Sequence, residues 1–575
     1  MDITGKKLFV KALLEEGVDT VFAYPGGTVT DLFDELYLMG NGKIDLVLPR
    51  HEQALVHEAE GYARETGKTG VCLVTSGPGA TNTVTAIADA FYDSIPLVVF
   101  TGQVPLNLIG NDAFQEVDIV GMTRGITKYS VTVRDRKDLG KTIKMAFHIA
   151  KTGKPGPVLI DLPKDIQTAT GPSEYPDHVD IRGYKINEGV HLGQLKKATK
   201  LLKVARRPLI LAGGGVNIAG ANELLEQIVN ITHVPGVTTV MGKGAIPSDH
   251  PYYVGSSGMH GRYAANIAVS KCDVLFSIGT RFNDRITGDL NEFAPKAKIV
   301  HIDVDTASIS RNVVVDVPVV SDANLALEKL LEWAESKDTE QWQKEIAEWD
   351  KKNPLEMRRD CGMTPQMVFE HVNRTFREAV YVTDVGQHQM WATQYLELDS
   401  WHQLITSGGL GTMGFGFPAA IGAKIGNRDK EVVCFTGDGG FQMNIQEMAT
   451  AVVQEAPVII CLFNNYYLGM VRQMQQLFYG KRYEATCLRR RRTCPANCKG
   501  PNASCPPYTP DFIALAKSYG AHGIRVEKEE DIRAALDEAR TYTDAPTIIE
   551  FMISTDEIVL PMVKSGNPMS EMILK

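Results

Sequence analysis

No stretch of this sequence approaches the roughly 18 consecutive apolar residues that a membrane-spanning helix requires, so no membrane partner is expected. Positive charge is also scarce. Sixty Lys and Arg stand against 69 Asp and Glu, for a net charge of −9. That balance lacks the basic excess with which proteins hold nucleic acid or an anionic surface, and neither is expected. Cysteine is sparse, nine in 575 residues, and without the regular spacing of a disulfide framework. Cys72, Cys272, Cys361, Cys434 and Cys461 are scattered, mostly in apolar segments, where a thiol acts as a small hydrophobe. The opening "MDITGKKLFVKALLEEGV" reads as an amphipathic helix and has no continuous apolar core of secretory type. These absences lead to the expectation of a cytoplasmic protein.

What is abundant is one recurring pattern, in which an apolar run leads through a glycine-rich turn and a helical stretch to another apolar run. It appears in "GVCLVTSGPGATNTVTAIADAFYDSIPLVVFTG", in "PLILAGGGVN", "CDVLFSIGT" and "AKIVHIDVD", and in "EVVCFTGDGG" with "PVIICLFNN". Continuous apolar strands alternating with helices predict mainly parallel sheets covered on both faces. The expectation is three doubly wound α/β domains, at about 1–165, 190–335 and 365–575. Linkers are expected near 165–190 and 335–365, where charge rises and apolar periodicity fades.

Two strand ends carry metal chemistry. "CFTGDGG" stops at Asp438, and "PVIICLFNN" stops at Asn465. Between them Phe441, Ile445, Met448 and Val452 keep one helical face, so the unit reads as strand, turn, helix, strand. A right-handed crossover returns the second strand beside the first, which places Asp438 and Asn465 at neighbouring carboxyl ends. A carboxylate, a carboxamide oxygen and a backbone carbonyl are hard donors suited to Mg²⁺ shared with a phosphate. Gly437, Gly439 and Gly440 let backbone approach the anion, and a helix beginning near Phe441 aims its amides at it.

The aspartate–asparagine spacing resembles the thiamine-diphosphate-binding motif. The chain as a whole resembles the catalytic subunits of the acetohydroxyacid (acetolactate) synthase family. "YPGG", "RHEQ", "TSGPGATN", "DAFQE", "GKPGPVLIDLPKD", "RFNDR", "HIDVD", "VGQHQMW", "GGLGTMGFGFP" and "LGMVRQ" stand in family order. The resemblance implies Mg²⁺ on Asp438, Asn465 and the carbonyl of Tyr467. It implies a diphosphate held at Gly386, Gln387, His388 and the glycine turn, and a bent cofactor propped by Met413 beside Gly411. Glu52 matches the carboxyl that shares a proton with the pyrimidine ring, a role favoured by burial against an apolar ring. In the family Glu52 meets the metal site across a subunit boundary, so a homodimer or a dimer of dimers is implied, together with a small regulatory subunit. The implied reaction decarboxylates pyruvate and transfers the hydroxyethyl carbanion to a second 2-oxoacid. The product is 2-acetolactate or 2-aceto-2-hydroxybutyrate, in branched-chain amino-acid synthesis. The alternative is another thiamine-diphosphate-dependent 2-oxoacid lyase or carboligase. Phe114, Gln115, Lys164 and Arg281 are the acceptor-site candidates, Arg281 because its guanidinium can bind two carboxylate oxygens at once.

The middle block lacks the G-x-G-x-x-G spacing of a nicotinamide site. By resemblance it binds FAD in a non-redox role, through Gly213, Gly214, Gly215, Thr239, Met259, His260, Arg281, Arg285, Asp303 and Asp322. Several positions depart from the family. Met474 stands where tryptophan is usual and shapes acceptor choice, Thr28 and Ala54 replace alanine and glycine, and Lys154 replaces arginine. The largest departure is "CLRRRRTCPANCKGPNASCPPYTPDF", an insertion over 484–509. Its Cys487, Cys494, Cys498 and Cys505 are enough for a zinc or iron–sulfur site, although their spacing is looser than paired CxxC motifs. A thiol switch or a disordered basic loop are the other readings.

Overall fold

The computed structural model describes residues 2–357, 362–498 and 500–575; Cys361 lies outside the described residues. Three sheets of six strands organise the chain, and every strand pair within them is parallel. This is the α/β architecture expected from the apolar runs.

The first sheet runs Asp45–Val47, Thr20–Ala23, Gly70–Val74, Leu97–Gln103, Val158–Pro163 and Tyr129–Thr132 across its width. The second runs Tyr253–Ser256, Gly236–Thr238, Pro208–Ala212, Val274–Ile278, Lys298–Asp303 and Val317–Val320. The third runs Leu404–Thr406, Val380–Thr383, Val432–Gly437, Val458–Asn464, Thr547–Met552 and His522–Val526. Their central strands are buried along their length, as helices on both faces require. The amphipathic start is the helix Gly5–Glu15, which buries Leu8, Phe9, Val10, Ala12 and Leu13.

Both expected linkers hold structure. Residues 170–172 pair antiparallel with Asp2–Thr4 in a separate two-stranded sheet, so the chain returns to its own first strand after leaving the first six-stranded sheet. Within 335–365 lies the helix Glu340–Lys352. Its Trp342 and Ile346 are buried against the second sheet, and the Trp342 indole donates to the Pro208 carbonyl at 3.0 Å. Charged neighbours mask this apolar stripe in the sequence.

The first and third sheets are locked by two helices, Glu52–Thr66 and Gly416–Gly426. They cross in backbone contact: a Cβ at Gly61 would lie 1.9 Å from the Ala419 carbonyl oxygen, and one at Gly422 only 1.8 Å from the Glu58 carbonyl oxygen. A single methyl cannot fit without separating the helices. Gly422→Ala is expected to cost about 3 kcal/mol by overpacking, read as a fall in the urea midpoint with unchanged slope.

Candidate functional site

The strands Val432–Gly437 and Val458–Asn464 are adjacent, with Gly437 opposite Phe463. Their ends therefore bring Asp438 and Asn465 to one edge, as the crossover argument predicts. The crossover differs in detail. A short helix begins at Asp438 itself and ends at Phe441, followed by a 3₁₀ turn at Ile445–Glu447 that leads directly into the helix Met448–Val453. The apolar stripe survives the breaks: Phe441 and Met448 are buried, and Ile445 and Val452 pack against them.

One pocket of about 60 Å³ opens at this edge. It is lined by Gly386, Gln387, His388, Met413, Gly437, Asp438, Gly439, Gly440, Asn465 and Tyr467, with Trp391 and Leu468 among the remainder. The sequence-derived diphosphate and Mg²⁺ set is thus gathered in one place, save Gly411 and Glu52. Gly411 has a φ of +77°, and its N–H donates to Ser407 Oγ at 3.1 Å, which turns the chain toward Met413. A Cβ at Gly440 would lie 2.9 Å from Asp384 Oδ2, and one at Gly439 2.6 Å from Leu468 Cδ2. The glycine turn is pressed between its neighbours, which is why side chains are missing there.

Asp438 is 2% exposed, and its Oδ2 has no hydrogen-bond partner. Burial pushes its carboxyl up to about 8, against hydrogen bonds from Tyr508 and from the backbone amides of Tyr466 and Gly439. A buried, under-satisfied carboxylate beside the Asn465 carboxamide is what a hard cation relieves. The donor set therefore fits Mg²⁺. His388 is buried, its Nε2 lacks a partner, and burial holds it down at about 3, so the ring is neutral.

Asp384 was not anticipated. Fully buried, it accepts from the amides of Val385 at 2.6 Å and Gly414 at 2.9 Å, and from Thr436 Oγ1 at 3.3 Å. It ties the Gly386 turn, the Met413 loop and the strand before Asp438 into one unit. The signal available was an aspartate at a strand end, in "YVTDVG".

Three of the acceptor-site candidates, Lys164, Gln115 and Phe114, lie at the carboxyl edge of the first sheet, whereas Arg281 is apart from them and donates to the Tyr92 carbonyl. The Lys164 ammonium donates to the Gly27 carbonyl at 3.0 Å. Thr28 Oγ1 accepts from the Ser76 amide at 3.1 Å and meets Thr75 Oγ1 at 3.0 Å, so this substitution braces the following glycine turn. Gln115 has a φ of +60°, unusual for a non-glycine residue, and packs against Gly77; Phe114 is 88% exposed. Glu52 opens its helix at the same edge, and its Oε2 accepts from Asn82 Nδ2 at 2.9 Å. It does not line the pocket of Asp438 in its own chain. Met474 is half-buried on the helix Gly469–Phe478, which starts from the Asn465 loop.

A second cleft, of about 260 Å³, lies between the first two sheets. Gly214, Gly215, Thr239, Arg281, Arg285, Asp303 and Asp322 line it, together with Lys154, whose ammonium is 3.4 Å from Asp305. All but Lys154 sit at or beyond the carboxyl ends of the second sheet, where such folds hold dinucleotides. Cations for a diphosphate and two carboxylates for hydroxyls fit a flavin dinucleotide. Gly213 packs behind this cleft, where its Cβ would meet the Gly279 carbonyl oxygen at 2.2 Å. Met259 and His260 do not line this cleft, although Met259 packs directly behind Arg285, which does. Met259 touches Arg285 at 3.8 Å, and His260 lines a different cavity of about 680 Å³ between the second and third sheets.

That third cavity also holds Lys243, which is 5% exposed. Burial and the Arg262 charge push its ammonium down to about 7, with Glu397 opposing. Its folded value lies below the unfolded one, so its stabilising contribution is complete above about 10.5 and is lost as pH falls through about 7. Unfolding free energy should therefore rise with pH across that window by at most about 1.4 kcal/mol per unit from this group. Lys243→Met is expected to flatten the rise, checked by urea unfolding of both proteins between pH 6 and pH 9.

Family profiles match in three pieces. The N-terminal TPP-binding domain of thiamine pyrophosphate enzymes matches residues 3–122, the central domain 195–330, and the C-terminal TPP-binding domain 384–551. The chain is 44% identical to the acetolactate synthase large subunit of Haemophilus influenzae, covering 100% of this chain and 98% of that protein. It is 44% identical to the probable acetolactate synthase large subunit of Methanocaldococcus jannaschii, over 99% and 95%. Against the acetolactate synthase isozyme 3 large subunit of Escherichia coli the identity is 42%, over 100% and 98%. Among the described residues no helix is long and apolar enough to cross a membrane.

Proposed function

We propose, for a chain that belongs to the acetolactate synthase large subunits of the thiamine pyrophosphate enzyme family, that it joins two 2-oxoacids with loss of CO₂. Pyruvate is the donor, and pyruvate or 2-oxobutyrate the acceptor, giving 2-acetolactate or 2-aceto-2-hydroxybutyrate for branched-chain amino-acid synthesis. The observation that carries this reading is the one pocket at the sheet edge in which Asp438, Asn465, Tyr467, Met413 and the Gly386 turn meet.

Asp438, Asn465 and the Tyr467 carbonyl would hold Mg²⁺, and Gly386, Gln387 and His388 the diphosphate. Thiamine diphosphate, when bound, supplies the electron sink for decarboxylation. Met413 positions the cofactor by contact alone, and Glu52 holds the proton exchanged with a ring nitrogen. Gln115, Lys164 and Arg281 orient the acceptor carboxylate, with Phe114 and Met474 bounding its side chain. A flexible Met474 in place of a rigid indole leaves room for more than one acceptor. FAD belongs to the cleft of Gly213, Gly214, Gly215, Thr239, Arg281, Arg285, Asp303 and Asp322, with Met259 supporting Arg285 at its wall and His260 the next residue along the chain. Domain limits near 1–165, 190–335 and 365–575, a homodimer or dimer of dimers, a small regulatory subunit and a cytoplasmic location complete the proposal. The names of the relatives as large subunits support the regulatory partner.

The test supplies purified protein with thiamine diphosphate, Mg²⁺, FAD and pyruvate, with and without 2-oxobutyrate. Acetohydroxyacid products are expected in both. Release of CO₂ and aldehyde alone would move the chain to another lyase or carboligase of the family. The insertion at 484–509 stands outside this reaction; its four thiols are a candidate zinc or iron–sulfur site.

A further inference from the structure

The insertion folds directly over the segment that carries Asn465 and Tyr467. Tyr467 pairs with Cys487 across an antiparallel bridge, with the Leu468 amide donating to the Thr486 carbonyl and the Leu488 amide to the Tyr466 carbonyl, both at 2.9 Å. At its far end Tyr508 accepts from Gln442 Nε2 at 2.9 Å, and the same amide reaches the Asp438 carbonyl at 2.9 Å. Both ends of the insertion therefore touch the loops assigned to Mg²⁺.

Apart from that bridge, the described residues between 484 and 509 form no helix or strand, and among them only Thr486 is buried. A segment without ladder or core needs another source of order. Cys487, Cys494, Cys498 and Cys505 all line one small void of about 30 Å³, together with Tyr467, Arg489 and Arg490. Four cysteines spread along the insertion thus surround one void.

Their arrangement selects the occupant. Thiolates on a single zinc ion sit about 2.3 Å from it and hence about 3.8 Å from one another. Among the described residues no three of these sulfurs lie within 4.8 Å of one another, and the space between them admits water-sized groups. Thiolates on the corners of a cubane cluster stand farther apart than those on one zinc ion, because each binds its own iron around a filled centre. Backbone amides already point at two of the sulfurs: Arg491 N–H to Cys494 Sγ and Asn502 N–H to Cys505 Sγ, each at 3.3 Å. Such bonds stabilise thiolates on a cluster. Arg489 and Arg490, which line the void, supply positive charge to offset a dianionic thiolate cluster. Arg489 is held over the Tyr466 ring at 4.4 Å, and its Nε is buried without a partner.

We propose that Cys487, Cys494, Cys498 and Cys505 ligate one [4Fe–4S] cluster that staples the insertion onto the Asn465–Tyr467 loop. Each thiol gives its proton to solvent on binding iron, and the cluster performs no electron transfer in this role. The stapling half rests on the reading of Asn465 and Tyr467 as Mg²⁺ ligands; the cluster half does not.

The full-length protein, purified without oxygen, should contain about four iron and four sulfide per chain. Stoichiometric zinc without iron, or metal-free protein whose four thiols alkylate freely, would overturn the cluster. Cys498→Ser and, separately, Cys494→Ser should lose the iron while keeping the far-UV circular dichroism of the three sheets. Calorimetric titration of these variants with thiamine diphosphate in Mg²⁺ should show affinity roughly tenfold to hundredfold weaker, the range found when groups supporting metal ligands are removed. Unchanged affinity in iron-free protein would overturn the staple. Should the variants fail to fold, wild-type protein stripped of iron by oxidation and chelation gives the same comparison. Asp438→Ala separates the two readings: it should abolish cofactor binding yet retain the iron.

Discussion

Asp438→Ala is expected to leave the cofactor-free protein as stable as wild type, or slightly more so, while acetolactate formation falls by roughly three orders of magnitude, about 4 kcal/mol in transition-state terms. The two halves of that result have one cause. Asp438 Oδ2 is buried without a hydrogen bond, and burial drives the carboxyl up to about 8. In the protein alone the group is a liability, because an under-satisfied buried carboxyl costs more than the alanine that replaces it. On the proposed reading, with Mg²⁺ present it would be the anionic ligand that joins protein to diphosphate. Thermal unfolding with and without saturating Mg²⁺ and thiamine diphosphate distinguishes this from simple damage. Wild type should gain about 3 kcal/mol at a hundredfold excess over the dissociation constant, and the variant nothing. A variant that unfolds early in the absence of cofactor, or that still gains stability from it, would remove Asp438 from the metal site.

How far the sequence reaches is set by range of interaction. Asp438 and Asn465 were legible together because parallel strands joined by one crossover have a forced register. Once the two apolar runs are recognised, their ends must be neighbours. Asp384 was not legible, since it acts on the Gly414 and Thr436 loops across strands whose order no local pattern states. The helix Glu340–Lys352 was missed because Trp342 and Ile346 alone carry its buried face amid charged residues. Met259 and His260 enter the proposed flavin site by resemblance alone; Met259 packs against Arg285 of that cleft, while His260 lines a separate cavity. The four cysteines were visible as a set, but only the fold brings them around one void beside Tyr467.

Glu52 carries the second large effect. Glu52→Gln keeps the helix start and the contact with Asn82 while removing the exchangeable carboxyl proton, so thiamine diphosphate should still bind. Turnover should fall roughly 10²- to 10⁴-fold, the usual contribution of a positioned acid or base. The decisive experiment combines this variant with the first. In its own chain Glu52 stands at the carboxyl edge of the first sheet, outside the pocket of Asp438. If each active site takes Glu52 from one subunit and Asp438 from another, a mixed dimer of Glu52→Gln and Asp438→Ala chains has one doubly damaged site and one intact site. Random pairing of co-expressed chains then restores about a quarter of wild-type activity. If both groups served one chain's site, every site in every mixed dimer would carry a lesion. Co-expression would then give no more than the two variants give apart, and the shared-site dimer would be wrong.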